Sequence, residues 1–157
     1  MKKTNALRIL DGAKIAYTLK TYDEDTEVDG VAIAEAVGSP VEATFKTLIA
    51  SSKKGFGCFV IPVKSHLDLK KAGAVLGEKS VELIAEKELF PLTGYHRGGC
   101  SPVGLKKAMP IVIDESAASC SEIYVSAGRK GMQMCLSLED FLDLTKATVA
   151  PITRHEV

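Results

Sequence analysis

The chain has no two cysteines at CxxC spacing; its four lie at 58, 100, 120 and 135. The three histidines, at 66, 96 and 155, form neither an HExxH pair nor a ligand cluster with them. That excludes the usual structural zinc modules, and the sequence calls for no metal and no cofactor. With 157 residues, folding buries roughly two-thirds of the surface the unfolded chain exposes, so no disulfide staple is required. Cys58 and Cys135 sit inside apolar runs and read as small core hydrophobes of a reduced, cytoplasmic protein. No apolar run approaches the roughly 20 residues of a membrane span. The basic start Met1-Lys2-Lys3 leads into an amphipathic segment broken by Arg8 and Asp11, which is not a signal-peptide pattern. Excess charge is absent too: 20 Lys and Arg balance 20 Asp and Glu, which argues against strong non-specific nucleic-acid binding. Basic pairs at 53-54, 70-71, 106-107 and 129-130 still allow a local basic face. Repeats, linkers and low-complexity segments are missing, so residues 1–157 read as one domain.

What is present is a series of short, punctuated periodic segments. Thr4 is placed to cap a helix through Ala6, Leu7, Ile9 and Leu10 that ends at Gly12. A strand is predicted from Ile15 to Tyr22, after which Asp23-Glu24-Asp25 turns the chain toward solvent. Asp29-Gly30 opens a helix over Val31 to Val37, closed by Gly38. Phe45 to Ser51 and Phe56 to Val63 read as strands of a hairpin around Ser52-Lys53-Lys54-Gly55. The pattern then predicts a helix over Leu67 to Leu76, a strand over Ser80 to Ile84 and a helix over Ala85 to Phe90. Strands follow at Ile111 to Asp114, Glu122 to Ser126 and Met132 to Leu136, and a helix at Leu138 to Leu144 with Ser137 as its N-cap. Hairpins outnumber strand–helix–strand units, so the fold class is α+β with a curled, barrel-like mixed sheet flanked by helices.

Three segments carry candidate chemistry. In Phe45-Lys46-Thr47-Leu48-Ile49-Ala50 the period of two sets Lys46 with Leu48 and Ala50, and Phe45 with Thr47 and Ile49, so neither strand face is plainly solvent. Lys46 either points into a pocket, as a donor to a carboxylate, phosphate or ester oxygen, or reaches water from a strand end. The run Thr93 to Lys107 packs Gly94, Gly98, Gly99, Gly104 and Pro102 among His96, Arg97, Lys106 and Lys107. It has neither Walker nor dinucleotide spacing. Its amides either face a carbonyl or oxyanion, or it is a surface connection. Cys100 beside His96 invites a thiol-nucleophile reading, for which no acidic orienting residue is evident. Ser126 to Gly131 ends a strand in a glycine-flanked basic turn carrying Arg129 and Lys130.

Taken together, Phe45-Lys46-Thr47-Leu48, Gly94 through Gly104 and Tyr124-Val125-Ser126-Ala127-Gly128-Arg129-Lys130-Gly131 resemble the YbaK/EbsC family. These are free-standing relatives of the editing domain inserted in bacterial prolyl-tRNA synthetases. The resemblance implies the fold of that editing domain. It also implies a deacylase that hydrolyses mischarged Cys-tRNA(Pro), with attack by the substrate's own thiol and no protein nucleophile. Lys46 and Gly98 would be the catalytic pair. Tyr22, Thr47, Gly99, Ser101, Pro102 and Ser126 would bind substrate, and Arg97, Lys106, Lys107, Arg129 and Lys130 would meet tRNA, with prolyl-tRNA synthetase as partner. Editing of Ala-tRNA(Pro) or another small misacylated residue, and a non-catalytic module binding aminoacyl-adenosine or a synthetase, are the alternatives.

Overall fold

The computed structural model describes residues 3–24 and 29–154. Asp25, the last residue of the predicted acidic turn, and His155 lie outside them. Local rules set the first elements. Helix α1 spans Asn5–Gly12, with the Thr4 side chain accepting from the Leu7 amide at 3.2 Å. Strand β1 covers only Thr18–Thr21, shorter than the predicted Ile15 to Tyr22. Lys14, at φ 59°, turns the chain before it, and the Tyr17 hydroxyl donates to Asp11 at 2.9 Å. Helix α2 is Gly30–Val37, capped by Asp29 and closed by the left-handed Gly38.

The expected hairpin forms from β2, Phe45–Ser52, and β3, Gly55–Pro62, paired antiparallel with Lys46 opposite Ile61 and Thr47 opposite Val60. Leu67, assigned to a helix from sequence, instead belongs to the short strand β4, His66–Leu67. Helix α3, Leu69–Val75, starts later because Asp68 accepts from the amides of both Lys70 and Lys71, at 3.1 and 3.0 Å. Strand β5 is Glu82–Leu83 and helix α4 is Glu86–Thr93. Glu88 accepts from the Ala85 amide at 3.0 Å at the start of α4, and Gly94, at φ 80°, closes it. Strands β6, Ile111–Asp114, β7, Glu122–Ser126, and β8, Met132–Ser137, lead to α5, Leu138–Thr145, whose N-cap is Ser137 as predicted. Two strands had no sequence signal: β9, Thr148–Ala150, and β10, Thr153–Arg154.

The curled, barrel-like sheet is a correction. Hydrogen bonding divides the strands into a five-stranded sheet β5-β2-β3-β6-β9, a three-stranded sheet β1-β8-β7 and the pair β10-β4. The architecture is α+β with mixed sheets, β3-β6 and β6-β9 being parallel. Among the described residues the two larger sheets are linked by one isolated parallel bridge, Thr44 to Tyr124. At the bridge the Thr44 hydroxyl donates to the Pro40 carbonyl at 2.6 Å and its carbonyl accepts from the Val63 amide at 2.9 Å.

Strand β3 shows why the hydrophobic run is continuous. Cys58 and Val60 enter one core with Leu7, Leu10, Met134 and Phe141, while Phe59 and Ile61 enter a second with Ala72, Val81, Val112 and Ile152. A strand buried on both faces has no polar phase. Among the described residues no helix is long and apolar enough to cross a membrane.

Candidate active site

A cavity of about 570 Å³ opens beside the N-terminal half of strand β2. Its walls come from β2, the start of α2, the β5–α4 junction, the Arg97–Gly98 turn and the facing ends of β7 and β8. Most of the lining is apolar, including Ile33, Leu48, Ile84, Leu89 and Met132, with a few polar groups set among it. That composition suits a small organic group held by a handful of directed hydrogen bonds.

Lys46 lines this cavity and is half-buried, which decides between its two sequence placements in favour of the pocket. Burial pushes its ammonium below the usual lysine range, and the Asp29 carboxylate partly holds it up. Thr47 follows Lys46 on β2, and its Oγ1 is buried without a hydrogen-bond partner.

Gly98 also lines the cavity, from a tight turn. The Gly99 amide donates to the His96 carbonyl at 2.9 Å and Gly98 takes φ 85°, as the third residue of a type II turn requires. A side chain at Gly98 would strain that turn. Arg97, the second turn residue, reaches the rim and pairs with Glu86 at 3.7 Å; both side chains are about two-thirds exposed, at 65% and 67%. A surface pair of this kind contributes little stability and remains available to a partner.

Tyr22 and Ser126 reach the cavity from another direction. The Tyr22 amide donates to the Gly131 carbonyl at 2.9 Å, tying its backbone to the β7–β8 turn. Ser126 Oγ accepts from the Gly128 amide at 3.2 Å in the same turn, which relies on the positive φ of Gly128 and Gly131. Thus Lys46, Gly98, Tyr22, Thr47 and Ser126 are brought together, along with Arg97 at the rim.

The other sequence candidates do not line the cavity. Gly99 is buried behind it, where a Cβ would stand 2.7 Å from the Lys130 amide nitrogen, so glycine is needed for packing. Ser101 is fully buried and accepts from the Val103 amide at 3.2 Å; Pro102 is buried beside it. These residues support the turn. The amides of Lys106 and Lys107 donate to Thr93 and Leu92 at the end of α4, and Lys107 borders a different hollow with Lys54. Arg129 and Lys130 form the tip of the β7–β8 turn, Arg129 being exposed.

Cys100 reaches the cavity, but burial pushes its thiol up to about 12. A thiol that stays protonated at neutral pH is a poor nucleophile. Among the described residues no group of three or more His, Cys, Asp or Glu is arranged for a metal. Gln133 was absent from the sequence candidates although it lines the cavity and is only 4% exposed. Its one signal was an amide within the otherwise apolar strand Met132–Leu136.

Lys46 and the Gly98 turn thus line one cavity, and comparison with known proteins shows the family to which the chain belongs. Residues 26–144 match the model of the aminoacyl-tRNA editing domain, and the chain belongs to that family. Within it, the match runs end to end with the YbaK/EbsC branch. An Enterococcus faecalis protein carrying the provisional name Cys-tRNA(Pro)/Cys-tRNA(Cys) deacylase EbsC is 41% identical over 159 residues, spanning 99% of this chain and 96% of the relative. A proline–tRNA ligase of Shouchella clausii is 30% identical over 112 residues, 71% of this chain but 18% of the ligase. A solved structure described as a provisional trans-editing enzyme for prolyl tRNA synthetase superposes with a TM-score of 0.82 at 24% identity, covering 99% of this chain and all of its own, a match that shows the fold.

Proposed function

We propose that this protein is an aminoacyl-tRNA deacylase that removes cysteine from mischarged tRNA(Pro). The observation that carries the reading is the half-buried Lys46 in one cavity with the Gly98 turn, in a chain 41% identical over nearly its full length to a relative named as a Cys-tRNA(Pro)/Cys-tRNA(Cys) deacylase. The domain is the whole chain, residues 1–157. It works in the cytoplasm, in trans, and prolyl-tRNA synthetase supplies the tRNA selectivity that a chain of zero net charge lacks.

The ester carbonyl sits between Lys46 and the Gly98 turn. The substrate's cysteine thiol attacks that carbonyl, forming a C–S bond and an oxyanion. Collapse then breaks the ester C–O bond and releases the tRNA hydroxyl with a cyclic thiolactone, the thiol proton passing to the departing ribose oxygen. The neutral Cys100 takes no covalent part. Holding thiol and carbonyl in contact supplies several kcal/mol, and one donor to the oxyanion is typically worth about 3 kcal/mol. Tyr22, Thr47 and Ser126 contact the aminoacyl-adenosine, Gly99, Ser101 and Pro102 hold the turn that faces it, and Arg97, Arg129 and Lys130 meet the tRNA backbone. Lys106 and Lys107 extend that contact along the surface.

The deciding experiment follows release from tRNA(Pro) charged with cysteine, alanine, serine or S-methylcysteine. Cysteinyl-tRNA should turn over fastest and yield thiolactone; equal rates for the cysteinyl and S-methylcysteinyl esters would make water the nucleophile. Preference for the alanyl ester would reassign the pocket to small-residue editing, and binding without release from any ester would make the protein a recognition module.

A further inference from the structure

Burial of the phenylalanines follows the two cores with one exception. Phe45, Phe59 and Phe141 are buried and Phe56 is partly buried, whereas Phe90, on α4, is 49% exposed and belongs to neither core. Its neighbours set its direction: Leu89 and Leu92 pack onto the first core, which turns Phe90 outward. The ring is held there by a partner. It stacks on the ring of the exposed His96, with centroids 4.4 Å apart and an interplanar angle of 9°. Gly94, at φ 80°, reverses the chain between the two residues and brings His96 back to Phe90. The result is a flat aromatic pair facing solvent, an arrangement that apolar burial does not call for.

The pair stands beside the cavity, outside its lining. Glu86, one helical turn before Phe90, and Arg97, the residue after His96, form the ion pair at the cavity rim, so stack and ion pair are built from the same two segments. His96 is also the first residue of the turn that carries Gly98, its carbonyl accepting from the Gly99 amide. The aromatic surface is therefore fixed relative to the cavity wall. Charge draws a polyanion leaving the cavity toward this side. Past Tyr22 the chain continues into the exposed Asp23 and Glu24, while here Arg97 and Lys87 are exposed and Glu88 is turned back to cap α4. The guanidinium fork of Arg97 can exchange a carboxylate oxygen of Glu86 for a phosphate oxygen.

We propose that the Phe90–His96 pair is a stacking platform for an unpaired nucleobase of the tRNA 3′ end, that of the nucleotide preceding the terminal adenosine. The exposed Phe90 ring is the contact face, His96 supports it from behind, and the intervening phosphate lies at Arg97. The inference rests on the deacylase reading, in which the terminal adenosine carries the ester into the cavity. Stacking on an aromatic face tolerates any base, so the platform holds the acceptor strand without reading which tRNA it belongs to. It adds affinity where a chain of zero net charge gains little from phosphate contacts.

The test compares wild type, Phe90→Ala and Phe90→Tyr on cysteinyl-tRNA(Pro), on the same tRNA made abasic at the nucleotide before the terminal adenosine, and on 3′-cysteinyl-adenosine. Phe90→Ala should lose about tenfold in kcat/KM on the intact tRNA, through KM, and less than about twofold on cysteinyl-adenosine. Phe90→Tyr, which keeps the aromatic face, should match wild type. The abasic tRNA should cost wild type the same factor and cost Phe90→Ala nothing further. An unimpaired Phe90→Ala, an equal loss on cysteinyl-adenosine, or an equal abasic penalty in both proteins would overturn the platform. A wild type that cleaves neither cysteinyl-tRNA(Pro) nor cysteinyl-adenosine overturns the proposed function instead, and a binding measurement then decides the platform by itself. The chain has no tryptophan, so the indole introduced by Phe90→Trp is the only one. Quenching of its fluorescence by the uncharged trinucleotide CCA, and less by CCA abasic at its middle position, supports the platform; no quenching overturns it.

Discussion

The two strands of the β2–β3 hairpin are hydrogen-bonded to each other along eight residues, yet they are built for different ends. In β3 four consecutive residues, Cys58 to Ile61, are completely buried and alternate between two cores. In β2 the same alternation is kept by Phe45, Ile49 and Ala50 but interrupted by Lys46 and Thr47, one a half-buried cation and the other with an orphaned hydroxyl. Lys46 lies opposite Ile61 and Thr47 opposite Val60. Each polar position on β2 is therefore backed by an apolar one on β3. The difference teaches that β3, buried on both faces, backs β2, while β2 carries polar groups that line the cavity.

That contrast is broken most severely by cutting into β3. Phe59→Ala removes a fully buried ring from the second core and should destabilise the fold by about 3–5 kcal/mol, read as the shift in urea midpoint at constant slope. Deacylation per folded molecule should change far less. The opposite pattern is expected at the facing strand. Lys46→Ala should reduce kcat/KM on cysteinyl-tRNA(Pro) by about 100-fold, the usual cost of removing an oxyanion donor. Its unfolding midpoint should stay level or rise. If Lys46→Ala retains near-wild-type deacylation, the role given to β2 is wrong.

The smallest effect sharpens the same comparison through pH. Burial lowers the Lys46 pKa in the folded chain below 10.5, so the charged form is disfavoured by folding. The stability this group contributes is present above its unfolded pKa and is lost as pH falls through the lower folded value. Activity that needs the cation runs the other way, declining as pH rises through the folded pKa. Asp29 raises that pKa, and Asp29→Asn preserves a capping side chain for α2 while removing the charge. The alkaline decline in kcat/KM, corrected for spontaneous ester hydrolysis, should therefore begin at lower pH in Asp29→Asn than in wild type. An unchanged or higher onset would show that the titrating group is not Lys46.

Legibility in the sequence followed the range of each interaction. Thr4, Asp29 and Ser137 were readable as caps because a cap is satisfied within three residues, and the Lys53-Lys54 hairpin because a turn is fixed by its own backbone. Gly98 stood out for the same reason: its positive φ is a local demand that only glycine meets easily. The start of α3 was missed by two residues because Leu67 satisfies the apolar pattern of a helix while pairing as a strand with Thr153, far along the chain. Strands β9 and β10 were missed because their partners, β6 and β4, are distant and their own composition is unremarkable for a loop. Barrel-like curling was overestimated because strand count says nothing about which edges remain free to pair.

By itself, the sequence determined the caps, the turns, the order of most elements and the oddity of a lysine on a strand with no solvent face. Those features depend on neighbours a few bonds away. Only the tertiary structure decided that Lys46, Gly98, Tyr22 and Ser126 share one cavity, that Gly99, Ser101 and Pro102 stand behind it, and that Gln133 is buried there without a donor. Burial and hydrogen-bond satisfaction are properties of the assembled packing, set by groups brought together from distant parts of the chain, and no local pattern records them.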